Sequence, residues 1–292
     1  MDIRLIVMDM DGTLLNSDQC IPEENLNALI EAQKKGIRLV LASGRSYKTL
    51  TEYGLQLKMP EYDGYFIGVN GAALTKTATM EHEIIRQLQK DEIKEIYDAA
   101  MPYDIEVMGV MDATIYDYIP DSLMELKAQY RKENDIADDV PWTAGTFKMI
   151  VDQRRGYSSI NYIKSPDEIP NPVNKICLAH TAEYLAKPYE ELLEKLGHKY
   201  HFARTSPQWI ECAPQGINKG AAILRLAERL GITPDQIAVF GDGENDLSMF
   251  RVVKYPIAMG NAMDTVKKEA FEVTLDNNSS GIAHFLKKHN LI

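Results

Sequence analysis

Cysteine is scarce in this 292-residue chain. Cys20, Cys177 and Cys212 lie far apart, are odd in number and form no CxxC pair. A disulfide framework is therefore excluded as the basis of the fold, and the three are expected as free thiols in a reducing compartment. Histidine is thin as well. His198 and His201 are three apart, but no third and fourth ligand lies nearby, so a zinc site is not expected. No apolar run approaches the roughly 18 residues of a membrane span. The first apolar run is short and ends in two aspartates, unlike a secretory leader, so a cytoplasmic location is expected. Excess positive charge is missing too. The formal net charge of -11 excludes a general nucleic-acid or membrane-surface binder, which needs a basic face. It leaves room for an anionic substrate, because a bound metal and a few local cations can reverse the field in one pocket. The chain carries no internal repeat and no low-complexity tract.

What is present is an ordinary globular composition, 45% hydrophobic and 26% charged, on a chain long enough for two domains. The first part alternates strand and helix. Leu5-Ile6-Val7-Met8 reads as a buried parallel strand. Pro22 suits the start of a helix that carries Leu26, Leu29, Ile30 and Gln33 on helical spacing, and Gly36 suits its end. Residues 37–42 form a second strand, and the strand at 65–69 runs into the Asn70-Gly71 turn. The last part repeats the alternation. A helix over 219–230 precedes a strand at 237–240, followed by helical, strand-like, helical, strand-like and final helical segments. The middle, residues 84–213, is richer in tyrosine and lacks glycine-ended parallel strands, which reads as an α+β insert. The expected organisation is a doubly wound parallel α/β core over 1–83 and 214–292, with an inserted α+β domain over 84–213.

The chemistry concentrates at strand ends. Asp9-Met10-Asp11-Gly12-Thr13 places two carboxylates directly after a buried strand, where an ionised carboxylate needs a partner. A metal ion is the obvious one, and open α/β sheets bind ligands at this edge. Ser43-Gly44-Arg45, Lys219 and Gly241-Asp242-Gly243-Glu244-Asn245-Asp246 occupy equivalent positions. Singly, each has an ordinary explanation as a turn, a loop, an exposed charge or a helix cap. Together, on one edge of one sheet, they point to a single magnesium-dependent active site.

These four elements resemble the four motifs of the haloacid dehalogenase superfamily. A large insert between the second and third motifs is similar to the Cof-like branch of sugar-phosphate and small-metabolite phosphatases. Asn70-Gly71-Ala72 and Gly260-Asn261-Ala262 resemble short signatures of that branch. The resemblance implies a Rossmann-like core, an inserted cap and magnesium-dependent hydrolysis of a small phosphate monoester. Asp9 is then the nucleophile that forms an aspartyl-phosphate. Asp11 is the acid that protonates the leaving oxygen and the base that activates water. The metal falls to Asp9, the backbone carbonyl of Asp11 and Asp242, with Asp246 binding it directly, supporting its waters or orienting Lys219. The phosphate falls to Lys219, Ser43, Gly44, the backbone at Met10 and Asn245. Glu244 is expected to be exposed, and Arg45 to be structural. Asp112, Tyr116, Trp142 and Lys175 are candidate substrate contacts in the insert, with ordinary packing the favoured role. Two other functions fit the same motifs, a sugar phosphomutase and a catalytically silent phospho-ligand sensor.

Overall fold

Four consecutive residues with no exposed surface, Leu5–Met8, form the central strand β1. The computed structural model describes residues 1–112, 114–145, 148–150 and 159–292. The chain divides into two compact units, Met1–Ile85 with Ile217–Ile292, and Arg86–Gly216. In the first unit β1 is followed by helix α1 (Glu23–Lys34), β2 (Arg38–Ala42), α2 (Tyr47–Gln56), β3 (Tyr65–Gly68), β4 (Ala73–Lys76) and β5 (His82–Ile84). Helix α1 has Glu23 and Glu24 in its first turn and Lys34 in its last, each complementing the helix dipole.

The second unit runs α3 (Lys90–Ala100), β6 (Glu106–Val110), β7 (Thr114–Tyr118), α4 (Asp121–Glu133), β8 (Ser159–Tyr162), β9 (Lys175–Ala179), α5 (Ala182–Leu196), β10 (Tyr200–Ser206) and β11 (Trp209–Pro214). Among the described residues its strands form a six-stranded sheet in the order β10-β11-β9-β6-β7-β8, antiparallel except for β7 with β8. Ile93, Ile96, Leu185 and Leu192 of α3 and α5 share one apolar cluster with Val107, Ile176, Leu178 and Ile210 of the sheet. Met108, Val110, Ile115, Cys177, Ala179 and Trp209 belong to a second cluster, as the two-residue period of a strand requires. The stretch 149–172, expected from the sequence to be long for the resembled branch, falls partly outside the described residues.

The chain returns to the first unit through α6 (Lys219–Leu230), β12 (Ile237–Gly241), α7 (Leu247–Phe250), β13 (Tyr255–Ala258), α8 (Asp264–Glu269), β14 (Glu272–Val273) and α9 (Gly281–Lys288). Among the described residues its sheet has eight strands in the order β14-β13-β12-β1-β2-β3-β4-β5. Strands β14 through β3 are parallel, and β4 and β5 add an antiparallel edge. Ile6, Met8, Leu39 and Leu41 share a core with α1 and α9, whereas Leu5, Val7, Val40 and Ala42 share one with α6 and α7. The sheet is covered on both faces, which makes it doubly wound. Its strand order reverses at β1, between β12 and β2, and the carboxyl ends there are where such sheets hold ligands.

Candidate active site

Asp9 leaves the end of β1 with its backbone N–H on the Phe240 carbonyl at 3.1 Å, so the ends of β1 and β12 are tied together. Gly12 follows at φ +80°, a conformation glycine adopts without strain. A Cβ on Gly12 would stand 2.4 Å from Asp242 Oδ2, so the turn approaches that carboxylate as only glycine can. Thr13 Oγ1 donates to Asp242 Oδ1 at 2.7 Å and fixes its orientation. Lys219 opens α6. Asn218 caps that helix, its side chain accepting from Ala221 N–H at 2.8 Å. Gly71, at φ +102°, packs so closely that a Cβ there would lie 2.3 Å from the Asn218 carbonyl. The Asn70-Gly71 turn thus sets where α6 begins and where Lys219 starts.

The Lys219 ammonium lies 2.5 Å from Asp9 Oδ1 and 2.7 Å from Asp246 Oδ1. Lys219 is 1% exposed, Asp9 7% and Asp246 0%. The second oxygen of Asp246 accepts from the backbone N–H groups of Asp242 and Gly243 at 3.0 and 3.2 Å. Oxygens of Asp9, Asp242 and Asp246 all lie within 4.8 Å of one another. Burial pushes the Asp9 carboxyl up to about 8, and Asp246 and Asp242 push the same way against the pull of Lys219. Burial also lifts Asp242 to about 6, opposed by the Thr13 hydrogen bond. Burial pulls Lys219 down, yet the neighbouring Asp246 and Asp9 outweigh it and hold the ammonium charged. Two carboxylates contact the ammonium and that of Asp242 lies beside them, and this excess of negative charge on hard oxygen donors is what a small divalent cation offsets. The residues present therefore fit magnesium.

Asp11 stands apart from this cluster. Its side chain is 47% exposed and both of its oxygens accept from Arg45, from Nε at 3.1 Å and from Nη2 at 2.5 Å. Ser43 is buried at the end of β2, and its hydroxyl accepts from the Arg45 N–H at 3.1 Å, leaving the hydroxyl proton to donate elsewhere. Gly44 lies against Asn70, whose side-chain oxygen would be 3.2 Å from a Cβ at that position. The Met10 side chain is fully buried in the core beside α1 and α9, which leaves only its backbone for a ligand. Asn245 and Glu244 are exposed in the short turn 244–246. Asp9, Asp242, Asp246 and Lys219 are thus brought together, and Asp11 flanks them two residues along the chain from Asp9. Thr13 and Asn261 lie in motifs that the sequence singles out, but neither is given a role there. Asn261 Nδ2 donates to the Gly12 carbonyl at 2.8 Å, which ties the Gly260-Asn261-Ala262 loop to the β1 turn. The glycine-asparagine pairs at 70–71 and 260–261 were the available signal.

In the second unit, the four candidate contacts are engaged within that unit. Asp112 accepts from Asn174, Lys175 pairs with Glu211 at 2.5 Å, Trp142 lies under the Arg131 guanidinium, and Tyr116 packs against the cluster of α3 and α5.

A profile of haloacid dehalogenase-like hydrolases matches residues 6–286. The chain is 30% identical to the 5-amino-6-(5-phospho-D-ribitylamino)uracil phosphatase YwtE of Bacillus subtilis, over 97% of each protein. It is 28% identical to an HMP-PP phosphatase of Escherichia coli, over 97% of this chain and 94% of the relative. Among solved structures it is similar to a haloacid dehalogenase-like hydrolase from Bacteroides thetaiotaomicron, with a TM-score of 0.77, 29% identity, and 98% and 99% of the two chains covered. With the fold, the site and these relatives in agreement, the chain belongs to the haloacid dehalogenase-like hydrolases and is an enzyme of the phosphatase class.

Proposed function

We propose that the enzyme hydrolyses small phosphate monoesters, sugar phosphates foremost, in a magnesium-dependent reaction that passes through an aspartyl-phosphate on Asp9. The observation that carries this reading is the Asp9 carboxylate, 7% exposed at a strand end and 2.5 Å from the Lys219 ammonium. Magnesium would be held by Asp9, the Asp11 backbone carbonyl and Asp242, with Asp246 joining directly or through water. It supplies the positive charge that lets a carboxylate approach an anionic phosphoryl group.

The protein residues then divide the work. Lys219 holds Asp9 in place and presents charge to the phosphate. The Ser43 hydroxyl, the Gly44 and Met10 backbone and the Asn245 amide complete a cradle for the phosphoryl oxygens. Asp9 Oδ attacks phosphorus, the ester P–O bond breaks, and Asp11 gives its proton to the leaving alkoxide. A water then attacks phosphorus, gives a proton to Asp11, and the P–O bond to Asp9 breaks to release phosphate. The second unit, Arg86–Gly216, is the insert to which we assign the part of a cap. The phosphorylated small molecules named for the relatives support the substrate class.

The test is turnover of para-nitrophenyl phosphate by the full chain. Asp9→Asn is expected to lower kcat by at least about 1000-fold with the fold retained. Chelation of divalent metal is expected to abolish wild-type activity, and magnesium to restore it. An Asp9→Asn enzyme with wild-type, magnesium-dependent turnover would remove Asp9 as nucleophile. A panel of phosphorylated metabolites then ranks substrates, with sugar phosphates expected to give the highest kcat/KM.

A further inference from the structure

Sequence reasoning assigns Arg45 to structure alone, yet its side chain meets Asp11 in a way that structure does not require. The two carboxylate oxygens of Asp11 accept from two different guanidinium nitrogens, Nε at 3.1 Å and Nη2 at 2.5 Å. This is the two-point fork that fixes a carboxylate in plane and direction as well as in place. Nη2 also donates to Gln19 Oε1 at 3.0 Å, which holds the guanidinium from its other side. The Arg45 backbone is anchored at both ends. Its N–H donates to Ser43 Oγ at 3.1 Å, and its carbonyl accepts from Val69 N–H at 2.9 Å.

Asp11 is 47% exposed in its side chain and needs no partner to solvate its charge. An ion pair this open to water adds little to stability. What the fork does is set orientation. With both oxygens accepting, the plane of the Asp11 carboxyl group and its direction are set.

We propose that Arg45 is a positioning residue that holds Asp11 ready to take the proton of the water that attacks phospho-Asp9. The inference rests on the assignment of Asp9 and Asp11 made above. In that step the water oxygen bonds to phosphorus, the P–O bond to Asp9 breaks with its electron pair returning to the carboxylate, and the water proton passes to Asp11. Loss of the fork lets the Asp11 side chain turn away, and breakdown of the phosphoenzyme slows.

The experiment is rapid mixing of the magnesium-loaded enzyme with para-nitrophenyl phosphate, whose good leaving group lets the first half-reaction run without an acid. In Arg45→Ala, steady-state turnover is expected to fall at least about tenfold. The fraction of enzyme trapped as phosphoenzyme by acid quench should rise above wild type, with an initial burst of nitrophenolate. Arg45→Lys keeps the charge without the fork and should fall between the two. Thermal melts of both variants should match wild type. A rise in KM with kcat and the phosphoenzyme fraction unchanged would overturn the proposal and make Arg45 a substrate contact. Asp11→Asn separates the inference from its premise. If Asp11→Asn accumulates phosphoenzyme and Arg45→Ala does not, only the role of Arg45 fails. If Asp11→Asn turns over like wild type, the assignment of Asp11 fails and the inference with it.

Discussion

At the scale of single residues, the site depends on close approaches as much as on charges. Gly12 matters because the Asp242 carboxylate occupies the space where its Cβ would be, and because its φ of +80° disfavours a side chain. Gly12→Ala is expected to turn Asp242 out of the hydrogen bond from Thr13. Because such supporting contacts tune metal affinity, the magnesium concentration for half-maximal activity should rise at least about tenfold. A magnesium titration of phosphatase activity in the two proteins measures it. Lys219 is the other sensitive position. Lys219→Met would leave Asp9 and Asp246 buried with no ammonium between them. Removing one partner of such a buried cluster costs roughly 3–5 kcal/mol, which a denaturant titration without metal would read as a lower midpoint.

At the scale of elements, the second unit carries a buried polar cluster of its own. Glu106 from β6, Asp117 from β7 and Lys127 from α4 each show no exposed surface. Lys127 Nζ lies 2.5 Å from Glu106 Oε2 and donates to the Trp142 carbonyl at 2.6 Å. Glu106 accepts from Ala144 N–H at 2.7 Å, and Asp117 accepts from the Thr143 hydroxyl at 2.6 Å. Burial, reinforced by Glu106, pushes the Asp117 carboxyl well above the usual carboxylate range. Burial raises Glu106 as well, against the pull of Lys127. A carboxyl whose folded value is raised contributes stability that is fully present below its unfolded value, near 3.8 for Asp117, and lost as pH rises through the folded value. The second unit is therefore expected to lose stability as pH is raised from mildly acidic toward alkaline. Asp117→Asn keeps a neutral donor and an acceptor in the same place and should flatten that dependence. Tryptophan fluorescence reports on it directly, because both tryptophans, Trp142 and Trp209, lie in this unit.

At the scale of the whole molecule, two compact units imply two stabilities. The three carboxylates that fit a metal all belong to Met1–Ile85 and Ile217–Ile292. A ligand stabilises the state that binds it, by about 2.7 kcal/mol at one hundred times its dissociation constant. Magnesium is expected to raise the melting of the first unit while the tryptophan-reported melting of the second stays within a few degrees. Calorimetry with and without magnesium, set beside fluorescence melts, checks this. Equal shifts in both signals would mean that the units unfold together.

The parallel core was legible because its strands are buried on both faces and read as unbroken apolar runs ending in glycine or aspartate. Strand ends in such a sheet share one edge, so Asp9, Asp242 and Lys219 could be placed near one another from local pattern alone. The middle of the chain was legible as strands and helices and not as a sheet order, since antiparallel pairing leaves no mark in the sequence of either partner. The pairing of Arg45 was not legible for a similar reason. Nothing near residue 45 announces that its guanidinium meets Asp11, 34 positions away. The hydrogen bonds from Thr13 to Asp242 and from Asn261 to Gly12 span 229 and 249 positions. The amino-acid sequence by itself determined which groups the protein has for its chemistry and which edge of the sheet they reach. The tertiary structure alone decided which oxygen faces which donor, because those contacts are made between chain segments that only packing brings within hydrogen-bond range.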